Sequence, residues 1–274
     1  MKIHPTAVIE EGAEFHEDVE VGAYAFIGAR VKIARGVRIH HHATIDGATT
    51  IGANCEFFPY ACIGLKTQDL KYTGGFPGLI VGEGNVFREF STVHTATKEG
   101  DYTRIGDGNF FLGYSHIAHD CQIGNGVIVS NNGGLAGHVV VDDKAVIGGF
   151  AGVHQFCRLG KHAMLGAYSK LIHDVPPFLI ADGNPAVVRS INRVGLERSG
   201  YGEEGMERIK QIYRIFYREG LNRAQALEKL SRRADADAAE TQAFLRFATD
   251  SKRGFAPGYS HIRDEMNANG KQSG

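Results

Sequence analysis

"IGNGVIVSNNGGLAGHVVVDDKAVIGGFAGV" (residues 123–153) places a large apolar residue at every sixth position: Ile123, Val129, Leu135, Val141, Ile147 and Val153. Outward from this stretch the phase runs unbroken from Ile105 through Phe111 and Ile117 to Leu159, Leu165 and Leu171. On the N-terminal side it runs from Ile3 through Ile9, Phe15, Val21 and Ile27 to Phe57 and Ile63, then resumes at Val81, Phe87 and Val93. A period of six is neither the 3.6 of a helix nor the simple alternation of a strand. The fourth residue after each frame position is usually small, as at Ala7, Ala25, Ala43, Ala61, Ser91, Ser115, Ala145 and Ala163. Glycine often follows the apolar residue directly, which accounts for much of the 36-residue glycine content. This is the hexapeptide signature of a parallel β-helix, three hexads to a triangular coil. At a strand spacing of about 4.8 Å, roughly nine coils make a prism on the order of 45 Å long.

The frame fails twice before residue 171, in "LKTQDLKYTGGFPGL" (65–79) and "EGDYTR" (99–104). Both are expected as loops thrown out of the prism, at about 65–80 and 99–104, and loops on a rigid scaffold are common places for function. Past "DVPPF" (174–178) the repeat ends, and the double proline is expected to stop the coil. From about Glu203 the spacing of Met206, Ile209, Ile212, Ile215 and Phe216, then Leu227 and Leu230, is helical, with Asn222 as an N-cap. The expected organisation is an all-β solenoid over 1–183 followed by a small helical domain over 184–274.

The 274 residues carry a formal charge of −1, and no apolar run reaches the roughly 18 residues of a membrane span. A soluble cytoplasmic protein is expected, with no signal peptide, no membrane span and no nucleic-acid partner. The four cysteines form no CxxC pair, and Cys55, Cys121 and Cys157 fall in the small slot, where they read as core filler. Residues 184–233 hold 11 Lys+Arg against 6 Asp+Glu, a local surplus that would suit an acidic partner.

Hexads three apart stack on one face. With the loops removed, those starting at 63, 93, 117, 135 and 153 lie above one another and bring His94, His119, His138 and His154 onto one face. His116 sits at its edge, and the loop bearing Gln68, Asp69, Lys71 and Tyr72 leaves from the first of these hexads. None of these histidines occupies an inward slot. Asp120 and His138 are one coil apart and should approach to about 5 Å. Two chemistries fit such a face. Three neutral histidines could hold zinc with an open fourth position, as in the hexapeptide-repeat carbonic anhydrases. Alternatively, a histidine oriented by a carboxylate could serve as general base in acyl transfer. Asp120 beside His119 favours the base, the positive Lys71 disfavours a metal, and Gly137 could aim a backbone N–H at a developing oxyanion. A non-catalytic scaffold is the third reading.

The segments "QDLKY" (68–72), "HIAHDC" (116–121), "LAGHV" (135–139), "VHQFC" (153–157) and "DVPPF" closely resemble the UDP-N-acetylglucosamine O-acyltransferase family of lipid A biosynthesis. The resemblance covers nearly the whole chain. It implies a left-handed β-helix and a homotrimer with active sites between subunits. It also implies no metal and no cofactor, the 3-hydroxyacyl chain arriving as a thioester on acyl carrier protein. By the same resemblance His119 is the base, Asp120 orients it, and the N–H of Gly137 holds the oxyanion. Gln68, Asp69, Lys71, His94, His116, His138, His154 and Gln155 would contact the sugar nucleotide or position the acyl chain. Asn192 and Arg198 would meet the nucleotide end, and Ala167 would stand where acyl length is measured. Thr95-Ala96 replaces the family's common Arg-Gly after His94, and Ser199 replaces a second arginine. Some relatives acylate a 3-amino analogue of the sugar. The later N-acyltransferase of the pathway carries an additional N-terminal domain, whereas this repeat is in frame from Ile3.

Overall fold

In the computed structural model, residues 2–259 are described; Met1 and residues 260–274, the end of the expected helical domain, lie outside them. Most hexads form a two-residue strand whose second residue is the apolar frame position. Phe26–Ile27, Lys32–Ile33 and Arg38–Ile39, for example, lie on three successive sides of the prism. Successive side chains of a strand face opposite ways, so the frame residue points in and its predecessor out. Ile27, Ile45, Ile63, Phe87 and Leu135 are fully buried accordingly, each worth roughly 1.5–3 kcal/mol of apolar burial. Ile3, Ile9 and Phe15 are only half-buried, because among the described residues no coil stacks on the outer side of theirs.

Among the described residues the strands form sheets of eleven, nine and eight members, called here the first, second and third. All pairings are parallel except the last of the first sheet, and the prism is a left-handed β-helix. The stacking read from the sequence is reproduced: Ile63 pairs Val93, Val93 pairs Ile117, Ile117 pairs Leu135 and Leu135 pairs Val153. Small side chains or cysteine fill the corners, and Cys55, Cys121 and Cys157 are buried there as free thiols. Many corners need a left-handed residue. Between the first and second sheets these are Tyr24, His42, Tyr60, Phe90, Tyr114, Asn132, Phe150 and Tyr168.

Three boundaries differ from the sequence reading. The first loop spans 66–77 and the second 95–101, because Gly78–Val81 and Tyr102–Ile105 are paired four-residue strands. These longer strands turn Leu79 and Thr103 inward as well as Val81 and Ile105, a pattern the six-residue frame does not carry. Nor does "DVPPF" stop the coil. The Val175 N–H donates to Arg158 O and its carbonyl accepts from the Gly160 N–H, while the prolines fill a turn that needs no N–H. Leu179–Gly183 then adds one more parallel strand beside Met164–Leu165 before Ala186–Ile191 folds back antiparallel on it.

Four helices follow: α1 (Arg193–Arg198), α2 (Glu203–Tyr217), α3 (Arg223–Ser231) and α4 (Ala239–Asp250). Helix α2 buries Met206, Ile209, Ile212 and Ile215, as their spacing indicates. Asn222 caps α3 through a full capping box with Gln225, an arrangement worth about 1 kcal/mol. Helix α1 is too short for a periodic signal, and α4 follows a stretch of charges and alanines; neither was expected. Much of the basic surplus is paired within the helices, as in Arg193–Glu197, Arg208–Glu240, Arg214–Glu219 and Arg232–Glu228.

Candidate active site

The turns leaving the second sheet carry the polar residues. After strand His116–Ile117, Ile117 points into the core and the chain bends through His119 and Asp120 to Cys121 in the corner slot. Asp120 holds φ 62°, a left-handed conformation that aspartate tolerates better than most residues, and its N–H donates to Thr103 Oγ1 at 2.8 Å. One coil along, His138 repeats the conformation with φ 61°, and its N–H donates to the His119 carbonyl at 3.0 Å. Its ring stacks on Phe156, the next corner residue, at 4.7 Å.

This stacking sets the geometry of a dyad. His119 Nδ1 lies 2.8 Å from Asp120 Oδ2, with both side chains largely buried. An ionised carboxylate only accepts, so Nδ1 carries the hydrogen and Nε2 of the neutral ring is left as a proton acceptor. The second Asp120 oxygen accepts the Thr97 N–H at 3.3 Å, and Thr97 Oγ1 lies 3.1 Å from the same His119 nitrogen. His138 Nε2 is 3.8 Å from Asp120 Oδ2, and its ring meets that of His119 edge-on at 5.2 Å. Gly137 lies directly under the His119 imidazole, where any Cβ would collide with the ring. Its N–H donates to no group among the described residues.

A groove of about 580 Å³ crosses the second sheet, lined among others by Gln68, His116, His119, Gly137, His154 and Gln155. Asp69, Asp120 and His138 cluster around His119: the Asp69, His119 and His138 ligand atoms are mutually within 4.8 Å. That set of one carboxylate and two imidazoles is the only potential metal cluster among the described residues, and it is not the three-histidine set of the zinc alternative. Asp69 is held below the usual carboxylate range, chiefly by the N–H of Lys71 at 3.0 Å. Lys71 and Gln68 are exposed on the same loop. His154 is exposed at the far side of the groove.

Two histidines are less open than the sequence suggested. His94 lies outside the prism yet is only 5% exposed, and burial, then the neighbouring His116, pushes its pKa down to about 4. His116 is lowered by burial too, and its Nδ1 sits 2.8 Å from Thr92 Oγ1.

Asn192, Arg198 and Ala167 lie neither in this groove nor in the cluster around His119. Asn192 is buried and caps α1, its Oδ1 accepting the Gly195 N–H while its Nδ2 donates to the His162 carbonyl. Arg198 is exposed in the last turn of α1, and Ala167 lies beside Tyr168 at the corner of the first and second sheets. A larger cleft of about 740 Å³ between the third sheet and α4 contains none of the expected residues.

The sequence reading missed Thr67, Thr97 and Thr103. A signal existed: Thr67 and Thr97 fall in the small slot of the two hexads that throw out loops, at Ile63 and Val93. At these two corners the hydroxyl faces polar groups, whereas Ser91 and Ser115 in the same slot are buried without a hydrogen-bond partner among the described residues.

Comparison with known proteins finds one family along the chain. Residues 174–256 match the second domain of UDP-N-acetylglucosamine O-acyltransferase, and residues 102–137 match the bacterial transferase hexapeptide repeat. The chain is 46% identical to the acyl-[acyl-carrier-protein]–UDP-N-acetylglucosamine O-acyltransferase of Verminephrobacter eiseniae, covering 90% of this chain and 97% of that one. It is 44% identical to the enzyme of the same name from Thermodesulfovibrio yellowstonii, covering 92% and 98%. The crystal structure of the UDP-N-acetylglucosamine O-acyltransferase of Moraxella catarrhalis superposes with a TM-score of 0.90 at 35% identity, covering 93% and 100%.

Proposed function

The chain belongs to the UDP-N-acetylglucosamine O-acyltransferase family, and from that premise we propose how its own residues move an acyl chain from acyl carrier protein to the sugar. The enzyme is an acyltransferase that uses acyl-[acyl carrier protein] and UDP-N-acetylglucosamine, in the first step of lipid A biosynthesis. His119 is the general base. Its Nε2 takes the proton of the sugar 3-hydroxyl as that oxygen attacks the thioester carbonyl. The Gly137 N–H stabilises the resulting oxyanion. Collapse breaks the carbon–sulfur bond, and the leaving thiolate of the carrier regains the proton from His119. Asp120 keeps the ring in the required tautomer throughout.

The observation that carries this reading is the 2.8 Å contact between Asp120 and the His119 Nδ1, which leaves Nε2 free above Gly137. Gln68, Asp69, Lys71, His94, His116, His138, His154 and Gln155 are assigned to binding and positioning of the sugar nucleotide and acyl chain, a 3-hydroxyacyl group. Asn192, Arg198 and Ala167 would contribute from across a subunit interface. The exposed column of aromatic corner residues supports a trimer. Three such corners meeting on an axis would bury those rings and set each second-sheet groove against a neighbouring chain. The helical region starts, on this reading, at the hairpin turn after Gly183, and the basic residues of α1–α3 that remain exposed favour an acidic carrier protein. A cytoplasmic location fits, since no helix among the described residues is long and apolar enough to cross a membrane.

The test is an assay of purified protein with UDP-N-acetylglucosamine and a panel of acyl carrier protein thioesters, which reads acceptor, bond formed and chain length together. No transfer with any thioester, or activity lost with stoichiometric zinc on chelation, would overturn the reading.

A further inference from the structure

We infer that Thr97 is a positioning residue that couples the sugar-binding loop to the base, an inference that rests on His119 being that base. Thr97 lies on the 95–101 connection, 5% exposed, and belongs to no strand or helix. Its hydroxyl meets three groups, two on the 66–77 loop and one in the turn after Ile117. They are Asp69 Oδ2 at 3.3 Å, Thr67 Oγ1 at 3.3 Å and His119 Nδ1 at 3.1 Å. Its backbone N–H reaches the Asp120 carboxylate, so one residue touches both members of the dyad and the loop acid.

The donor and acceptor inventory allows one consistent arrangement. A hydroxyl has one hydrogen and two acceptor lone pairs. Asp69 is ionised and can only accept, so the Thr97 hydrogen goes to Asp69 Oδ2. Thr67 Oγ1 already accepts the Asp69 N–H at 3.1 Å, and donates its own hydrogen to Thr97 Oγ1. The remaining Thr97 lone pair faces His119 Nδ1 and acts as a second acceptor for the hydrogen shared with Asp120. Every group is satisfied only with the hydrogen on Nδ1. The circuit thus ties the tautomer of the base to the seating of Asp69 on the 66–77 loop. A displacement of that loop would therefore reach His119 through one hydroxyl.

Thr97→Val keeps the shape and removes the hydroxyl, and Thr97→Ser keeps the hydroxyl and removes the methyl. With one hydrogen bond to charged groups lost, kcat of Thr97→Val should fall roughly tenfold or more. Thr97→Ser should recover most of that rate at an equal thermal midpoint. The 15N signals of His119 should show Nδ1-protonated imidazole in the wild type and the serine variant, and a tautomer mixture in the valine variant. Should valine not fold, Thr97→Ala serves as the hydroxyl-free arm. A valine or alanine variant within twofold of wild-type kcat would overturn the inference, as would a folded serine variant no better than they are. His119→Ala, assayed in parallel, separates the two readings. If it stays active the base assignment fails; if it is dead while Thr97→Val is unimpaired, only the role of Thr97 fails.

Discussion

His119 and His116 are three residues apart in one short stretch, yet their surroundings differ. His119 has a carboxylate at 2.8 Å and an open edge over Gly137; His116 has a threonine hydroxyl and a buried neighbour in His94. Only the first arrangement suits the proposed base, because only there does a charged acceptor hold one nitrogen and leave the other free. His119→Ala should therefore reduce acyl transfer by at least about a thousandfold with the fold intact, since the side chain lies outside the core. Asp120→Asn, which retains the base but loses the orienting charge, should keep more activity; equal rates in wild type and Asp120→Asn would remove the dyad. His94 makes a second prediction. Its pKa is 6.5 when unfolded and about 4 when folded, so between those values the unfolded chain binds the additional proton. Its share of stability is complete above pH 6.5 and is lost as pH falls towards 4, on the order of 2–3 kcal/mol. His94→Gln should flatten the fall in denaturation midpoint between pH 7 and pH 4.5, measured by chemical unfolding.

The corner turn is the element that builds the site. Each coil repeats the same bend, and residues at matching places in successive bends stand one above the next. Asp120, His138 and Phe156 form such a column in the left-handed conformation. The backbone ladder between bends, such as the His138 N–H on His119 O, fixes their spacing without help from side chains. Gly137 is required by what lies above it rather than by its own backbone, which is not left-handed. Gly137→Ala should push the His119 ring out of line with Asp120 and cut kcat by roughly two orders of magnitude. The thermal midpoint should hardly move, as the turn itself accepts alanine; a fully active Gly137→Ala enzyme would show that ring placement is not critical. The hexad frame made these bends visible, since it identified which residues stack. It did not reveal Thr97 and Thr103, whose slots look like core positions until the loops are seen to open them to the dyad.

Across the whole molecule, the three sides of the prism serve different ends. The second sheet bears the groove, the third sheet lies against α4, and the corner of the first and second sheets carries the exposed aromatic column. Tyr60, Phe90 and Tyr114 stack at 5.0 and 4.8 Å, an arrangement worth about 0.5–1.5 kcal/mol per pair, yet each ring remains over 40% exposed in the single chain. A Phe90→Glu change would place a charge at the proposed three-fold seam. It should shift the protein from trimer to monomer in sedimentation analysis and abolish transfer, with the β signal in circular dichroism retained. A Phe90→Glu trimer would place the seam elsewhere. By itself the sequence determined the solenoid, the stacking order of its hexads, the histidine-bearing face and the helical cap. All of these depend on a strict period whose meaning is local. Only the tertiary structure decided where the loops begin, that the chain runs one strand past its prolines, and that His94 is shielded. It also decided that Asn192 caps a helix and that two threonines hold the dyad. These outcomes depend on contacts between residues far apart in the chain, which no period records.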